Sequence, residues 1–295
     1  MHKNDGQDLP VEPQRRALMK SLGAVGLWAA SPSSAPATPT PIDTTHGPAV
    51  RIEAGRLNQL AAEFFPVFNH GNVLPDFDAT AHGARYSVEL RRLTTYTLVP
   101  ETGERVKVSG LLAIPAGVRG PLPVVSWQHG TILSFDQVPS NLTRLGDPGY
   151  QPSDAGDSLE TLFNLQRLAG QGFAVIAADY LGKGPFRDGR VEAYAVREAT
   201  VTTCLDMLQA GTSALHQLGH TRSHLFLNGW SQGGLNTQWL AQALKDRKIP
   251  VSAAAAQSPF NNLVDSVRYW TGQLPVPDAA TQNAIRFEVT LPIGS

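Results

Sequence analysis

The chain of 295 residues has a single cysteine, Cys204, and therefore cannot form an internal disulfide bond. Its charges nearly cancel, with 25 acidic against 24 basic residues and a formal net charge of -1. A surface that binds nucleic acid or an anionic membrane needs an excess of positive charge, so neither partner is expected. The sequence also lacks metal-ligand spacings and the glycine motifs that bind nucleotides. We therefore expect no metal and no cofactor.

Long hydrophobic runs are absent as well. The apolar stretch near the N-terminus, residues 21–30, is shorter than the roughly 20 residues that cross a bilayer, so we expect no integral membrane segment. It follows Arg15 and Arg16 and precedes a tract rich in Pro, Ser, Ala and Thr. This order resembles a twin-arginine export signal. We predict that residues 1–45 are a signal and linker and that the protein is periplasmic or secreted; the alternative is a disordered tail with an accidental arginine pair.

Apolar patterning after this region indicates strands that alternate with helices. Two stretches rich in β-branched and aromatic residues, separated by the turn sequence ETGE, predict an antiparallel pair. Four short apolar runs follow, each typical of a strand buried on both faces: LPVVSWQHGT, FAVIAAD, HLFLNGW and VSAAAAQSP. The long helical segment before the third run is expected to break near Gly211. The predicted fold class is α/β, a mostly parallel sheet with helices on both faces.

A serine lies where the third apolar run meets a helical segment, in Gly229-Trp230-Ser231-Gln232-Gly233. Gly-x-Ser-x-Gly between a strand and a helix holds a serine hydroxyl on a strained turn above the sheet edge. Gly229 and Gly233 are small because the turn is tight and the helix packs closely. We therefore predict that Ser231 is a nucleophile; the alternative is an ordinary glycine-rich turn.

A second loop, QHGT at residues 128–131, follows the first apolar run. Acyl transfer needs two backbone N–H donors directed at the developing oxyanion. We predict that Gln232, the residue after the nucleophile, supplies one donor and Thr131 the other. Gly130 permits close approach, and His129 is expected to order the loop through its ring hydrogen bonds.

These motifs, together with the Asp-Tyr-Leu-Gly-Lys-Gly sequence at residues 179–184, resemble the α/β-hydrolase superfamily, and most closely its secreted lipase and esterase branch. The resemblance covers about residues 85–260. It implies a hydrolase core at 46–259, followed at 260–295 by the start of a cap or a truncated tail. It also implies hydrolysis of a small-molecule ester or lipid through an acyl-enzyme on serine.

The chain departs from this family after the nucleophile. The family order is Ser, then an acid, then His, yet no histidine follows Ser231. Neither Asp246, near the far end of the helix, nor Asp265 and Asp278, in the cap region, occupies the usual position of the acid. We expect the last strands to be missing, so that the chain is a C-terminally truncated hydrolase, whether by fragmentation, frameshift or decay.

An upstream histidine could replace the missing base. His216, His220 and His224 precede the nucleophile strand and are expected at the wrong edge of the sheet. His70 and His82 could fold over the top, although neither lies in a motif. We expect impaired ester hydrolysis, with two alternatives: a catalytically inactive remnant or binding protein of the same fold, and a peptidase of the same fold.

Overall fold

The computed structural model describes residues 44–69, 73–147, 149–153 and 158–273. Several predictions therefore fall outside the described residues. These are the signal and linker up to residue 43, His70, Asp278 and the end of the predicted cap or tail from residue 274.

An eight-stranded mixed sheet forms the centre of the described structure, in the order β1-β3-β4-β6-β5-β7-β8 with β2 also paired to β3. The strands are β1 Thr45–His46, β2 Val50–Ile52, β3 Val88–Leu98, β4 Arg105–Pro115, β5 Pro121–Gln128, β6 Ala174–Ala178, β7 Thr221–Trp230 and β8 Ala253–Gln257. Strands β6, β5, β7 and β8 are parallel, whereas β3 and β4 form the predicted antiparallel pair. The carboxyl ends of the four parallel strands therefore meet at one edge of the sheet.

Six α-helices accompany the sheet in the described part of the chain. They are α1 Ala54–Phe68, α2 Ala79–His82, α3 Leu159–Arg167, α4 Arg197–Gln217, α5 Gln232–Asp246 and α6 Leu263–Trp270, with short 3-10 helices at Pro139–Gly146 and Ala169–Gln171. None of them is long and apolar enough to cross a membrane.

Apolar side chains of the central strands alternate between the two faces of the sheet. In β6, Ile176 packs into a core formed with α4 and α5, whereas its neighbour Val175 packs into a core formed with α1 and α3. This follows from the two-residue period of a strand, because both faces are covered and each position finds an apolar partner. The predicted α/β class with helices on both faces is confirmed.

Two local predictions were wrong. Helix α4 is continuous through Gly211, because the missing side chain makes room for Ile176: a Cβ on Gly211 would lie 2.6 Å from the Ile176 Cδ1 atom. Strand β8 was expected to be buried, but four of its five residues are exposed. In the described structure β8 is the last strand at its edge of the sheet and pairs only with β7.

Candidate active site

Ser231 lies between the end of β7 and the first residue of α5, with φ 54° and ψ −121°. A positive φ is uncommon for a residue with a side chain and marks backbone strain held in place by its surroundings. Here the Ser231 N–H donates to the Gln257 carbonyl at 2.9 Å, which ties the turn to the end of β8. The local geometry is that of the strained strand-to-helix turn predicted from the sequence.

The two glycines of the motif permit close packing beneath this turn. A Cβ on Gly233 would overlap the Gln128 carbonyl oxygen and lie 2.7 Å from the His129 carbonyl oxygen. A Cβ on Gly229 would lie 2.6 Å from both the Gln128 oxygen and the Thr237 hydroxyl. Helix α5 can therefore begin directly against the end of β5 only because both positions lack side chains.

The Gln-His-Gly-Thr loop lies beside the serine turn. Gln128 pairs in register with Gly229, and a Cβ on Gly130 would be 3.1 Å from the Trp230 indole nitrogen. Within the described residues, neither the Thr131 N–H nor the Gln232 N–H donates to any acceptor. The Gln232 N–H is one of the free donors in the first turn of α5. Both predicted donor groups are therefore available at the carboxyl edge of the sheet.

His129 is fully buried within this loop. Its Nδ1–H donates to the Gly130 carbonyl at 2.8 Å, and its ring stacks on Tyr180 with centroids 4.1 Å apart. Burial lowers the pKa of His129 to about 4, so the ring is neutral near pH 7. These contacts join the His129 side chain to its own loop and to the loop after β6, and its ordering role stays a prediction.

The remaining described histidines lie away from the serine. His216 lies in the last turn of α4, His220 precedes β7, and His224 is near the start of β7. Ser231 follows the other end of that strand, seven residues or roughly 23 Å from His224. His46 is on β1, at the opposite side of the sheet.

His82 is exposed, and its carbonyl accepts a 2.7 Å hydrogen bond from the Gln166 side chain, six residues after Glu160 in α3. Within the described residues, no side chain forms a hydrogen bond with the Ser231 hydroxyl.

Glu160, in the first turn of α3, is a site residue that the sequence analysis missed. Its carboxylate accepts hydrogen bonds from the Gly130 N–H and from the Trp230 indole N–H. It therefore links the QHGT loop to the residue before the nucleophile. Burial raises its pKa to about 8, against the opposing effect of the Gly130 hydrogen bond.

The loop after β6 carries further buried ionisable side chains that the sequence analysis did not assign to the site. Asp179 accepts hydrogen bonds from the Ser109 hydroxyl at 2.6 Å and the Ser140 N–H at 2.9 Å, and burial raises its pKa. Lys183 forms a 3.2 Å ion pair with Glu192. Both Asp179 and Lys183 were in the motif that carried the resemblance, so their position after a buried strand was a usable signal. Nothing comparable marked Glu160 or Glu192.

No group of three or more His, Cys, Asp or Glu side chains in the described part of the chain could hold a metal ion. The single cysteine, Cys204, is buried in α4, where burial raises its pKa to about 12.

Residues 159–279 match the prolyl oligopeptidase family, Peptidase_S9. A comparison with curated proteins finds no match. Among solved structures, a Legionella pneumophila protein described as a hydrolase is 23% identical with a TM-score of 0.59, covering 82% of this chain and 58% of its own. The rice cell wall degrading esterase LipA from Xanthomonas oryzae is 22% identical with a TM-score of 0.57, covering 78% and 52%. A mutant of LipA is 24% identical to this chain with a TM-score of 0.60, and the match covers 77% of this chain and 53% of the mutant.

The chain thus spans somewhat more than half the length of these solved proteins. At such identities the likeness concerns the fold alone. The resemblance to the α/β-hydrolase superfamily is confirmed at the level of the fold.

Proposed function

We propose that this protein is a serine hydrolase that cleaves small carboxylic esters through an acyl-enzyme on Ser231. The observation that carries the proposal is the strained Ser231 backbone, together with N–H groups that donate to no acceptor on Gln232, the next residue, and on Thr131, in the loop after β5. LipA, whose fold is similar, is an esterase, which supports an ester rather than another acyl substrate.

In the proposed reaction, the Ser231 hydroxyl oxygen attacks the ester carbonyl carbon, and the negative charge moves to the carbonyl oxygen. The N–H groups of Gln232 and Thr131 stabilise that oxyanion. Collapse of the intermediate breaks the bond to the alcohol and leaves an acyl group on Ser231, which water then releases. The serine proton needs an acceptor, and no described histidine is placed to take it. We therefore propose that this protein hydrolyses its ester substrate slowly.

The test is hydrolysis of p-nitrophenyl acetate by the purified chain beside Ser231→Ala, with a fluorophosphonate probe as a second measure. We expect slow turnover and probe labelling, both lost in the variant. The residual rate over water is expected to be on the order of the 10³–10⁴-fold that remains when a triad member is missing. Equal rates in the two proteins and no labelling would contradict the proposal and favour the inactive binding protein.

A peptidase of the same fold is the second candidate, because residues 159–279 match the prolyl oligopeptidase family. The same serine chemistry would then act on an amide. Paired substrates with one acyl group, a p-nitrophenyl ester and a p-nitroanilide, distinguish the two. Cleavage of the anilide that exceeds cleavage of the ester and requires Ser231 would favour the peptidase.

We also propose that residues 1–45 direct twin-arginine export to the periplasm or beyond. The paired Arg15 and Arg16 before a short apolar stretch support this. Fusing residues 1–45 to a reporter that is exported only when folded tests it. We expect export that is lost when both arginines become lysine; retained export in that variant would contradict the twin-arginine route.

A further inference from the structure

The loop that follows β6 contacts the residues of both proposed oxyanion donors. The Glu192 carboxylate accepts a 2.8 Å hydrogen bond from the Gln232 side-chain amide. The Tyr194 hydroxyl forms a 2.8 Å hydrogen bond with the Thr131 hydroxyl. Residues two positions apart on one loop therefore hold one donor residue each.

Lys183 completes this connection from the same loop. Its ammonium group donates to the Ile132 carbonyl at 2.9 Å and pairs with Glu192 at 3.2 Å. Ile132 follows Thr131 directly. One unbroken chain of polar contacts thus runs from the backbone beside Thr131, through Lys183 and Glu192, to the side chain of Gln232.

This connection is buried. Only 4% of the Lys183 side chain and 11% of the Glu192 side chain are exposed, and Gln232 is 1% exposed. A buried charge is stable only where it is paired and hydrogen-bonded. Removing one partner therefore leaves the other charge unpaired and is expected to shift the groups that this charge contacts. Oxyanion donors act only when they lie within hydrogen-bonding distance of the oxygen, and displacement by about 1 Å costs on the order of a hundredfold in rate.

We infer that Lys183 and Glu192 are positioning residues, which fix the N–H groups of Thr131 and Gln232 at the separation that one oxyanion requires. The inference rests on the proposed function for its catalytic consequence. The physical claim, that the ion pair fixes the two amides, is independent of turnover and has its own readout.

The first variants are Lys183→Met and Glu192→Gln. Each leaves one buried charge unpaired, whereas the double variant removes both charges and keeps an amide oxygen that accepts from Gln232. We expect kcat for p-nitrophenyl acetate to fall about 10- to 100-fold in each single variant, with KM changed less than about threefold. In the double variant kcat should stay low, because Lys183→Met removes the donor to the Ile132 carbonyl whether or not the charges balance. Glu104→Gln is the matched control, because it breaks an exposed ion pair with Arg190 on the same loop and touches neither donor.

The second readout is the backbone amide resonances of Thr131 and Gln232 in NMR spectra of the same proteins. We expect both to shift in the single variants and to stay in place in Glu104→Gln. In the double variant the Thr131 resonance should stay shifted, because the hydrogen bond from Lys183 to the Ile132 carbonyl is lost there too. If a single variant does not fold, Tyr194→Phe removes only the hydroxyl contact of a partly exposed side chain and is expected to shift the Thr131 resonance.

The two proposals fail in different ways. If the wild type hydrolyses the ester no faster than Ser231→Ala, the proposed function is overturned. The positioning role is then decided by the amide resonances alone. Amide resonances that stay in place in folded single variants overturn the positioning role. A double variant that regains the wild-type kcat also overturns it, because the loss would then come from the unpaired charge alone.

Discussion

Gly233 occupies a position that admits no side chain, although its backbone is ordinary helix. A Cβ there would overlap the Gln128 carbonyl oxygen and lie 2.6 Å from the carbonyl carbon, both of them backbone atoms that cannot rotate away. We therefore expect Gly233→Ala to lower the free energy of unfolding by about 1–3 kcal/mol, because α5 must shift away from β5. Chemical denaturation measures this.

Gly55→Ala is the matched control for that substitution. Gly55 also lies in a helix, α1, and a Cβ there meets nothing within 4 Å. The helix preference for alanine should raise stability by about 0.5–1 kcal/mol. If both variants changed stability in the same direction, the close contact would not be the cause.

Glu160 makes stability depend on pH. Its pKa is about 8 in the folded protein against an ordinary value of 4.5, so its contribution to stability is present in full below the ordinary value and is lost as pH rises through 8. Between about pH 5 and 8 the free energy of unfolding should fall with pH by up to about 1.4 kcal/mol per unit from this group.

Glu160→Gln should remove that slope, because an amide cannot ionise. Denaturation at several pH values measures the difference between variant and wild type, which should change steadily in favour of the variant as pH rises. Parallel curves for the two proteins would show that the Glu160 carboxyl ionises as it does in the unfolded chain.

The roles of Glu160 and Glu192 could not be predicted from the sequence, because each carboxylate bonds a residue that is distant along the chain. Glu160 bonds a residue thirty positions away, and Glu192 bonds one forty positions away, so neither pair has a spacing that marks it. Ser231 and its glycines could be predicted because strand, turn and helix are contiguous in sequence. Contacts between two loops at one sheet edge emerge only once the strand order β6-β5-β7 is known.

At the scale of elements, the β-branched and aromatic residues of β3 and β4, separated by the turn sequence ETGE, were sufficient to predict that antiparallel pair. The prediction of a break in α4 was wrong, because close packing at Gly211 outweighs the low helix propensity of glycine. The helix lies so close to β6 that only glycine fits opposite Ile176, whose side-chain atoms would lie 2.6 to 2.9 Å from an added Cβ.

This packing predicts coupling between the two positions. We expect Gly211→Ala and Ile176→Ala each to destabilise the protein, the first by overpacking and the second by leaving a cavity. The double variant should be more stable than the sum of the two effects predicts, by at least about 1 kcal/mol, because the new methyl group enters the space that isoleucine leaves. Denaturation of the four proteins measures the coupling, and strict additivity would contradict direct contact.

At the scale of the whole molecule, the described sheet ends differently on its two sides. The β1 side is short, since β1 and β2 have two and three residues. Strand β8 has five residues, four of them alanine, and most are exposed. An exposed, uncharged strand at a sheet edge offers unpaired N–H and C=O groups to another chain.

We therefore expect the purified protein to associate through β8 as its concentration rises. Light scattering should show an apparent mass that grows above the 31.6 kDa of the monomer. Ala255→Lys, which places a charge in the middle of the strand, should suppress that growth, because pairing with a second strand would bury the ammonium group. Val73→Lys is the control: it removes an apolar side chain that is 81% exposed and adds the same charge, yet it lies in no strand. Equal suppression by both variants would assign the effect to net charge, and a constant monomer mass in the wild type would mean that β8 does not act as an open edge in solution.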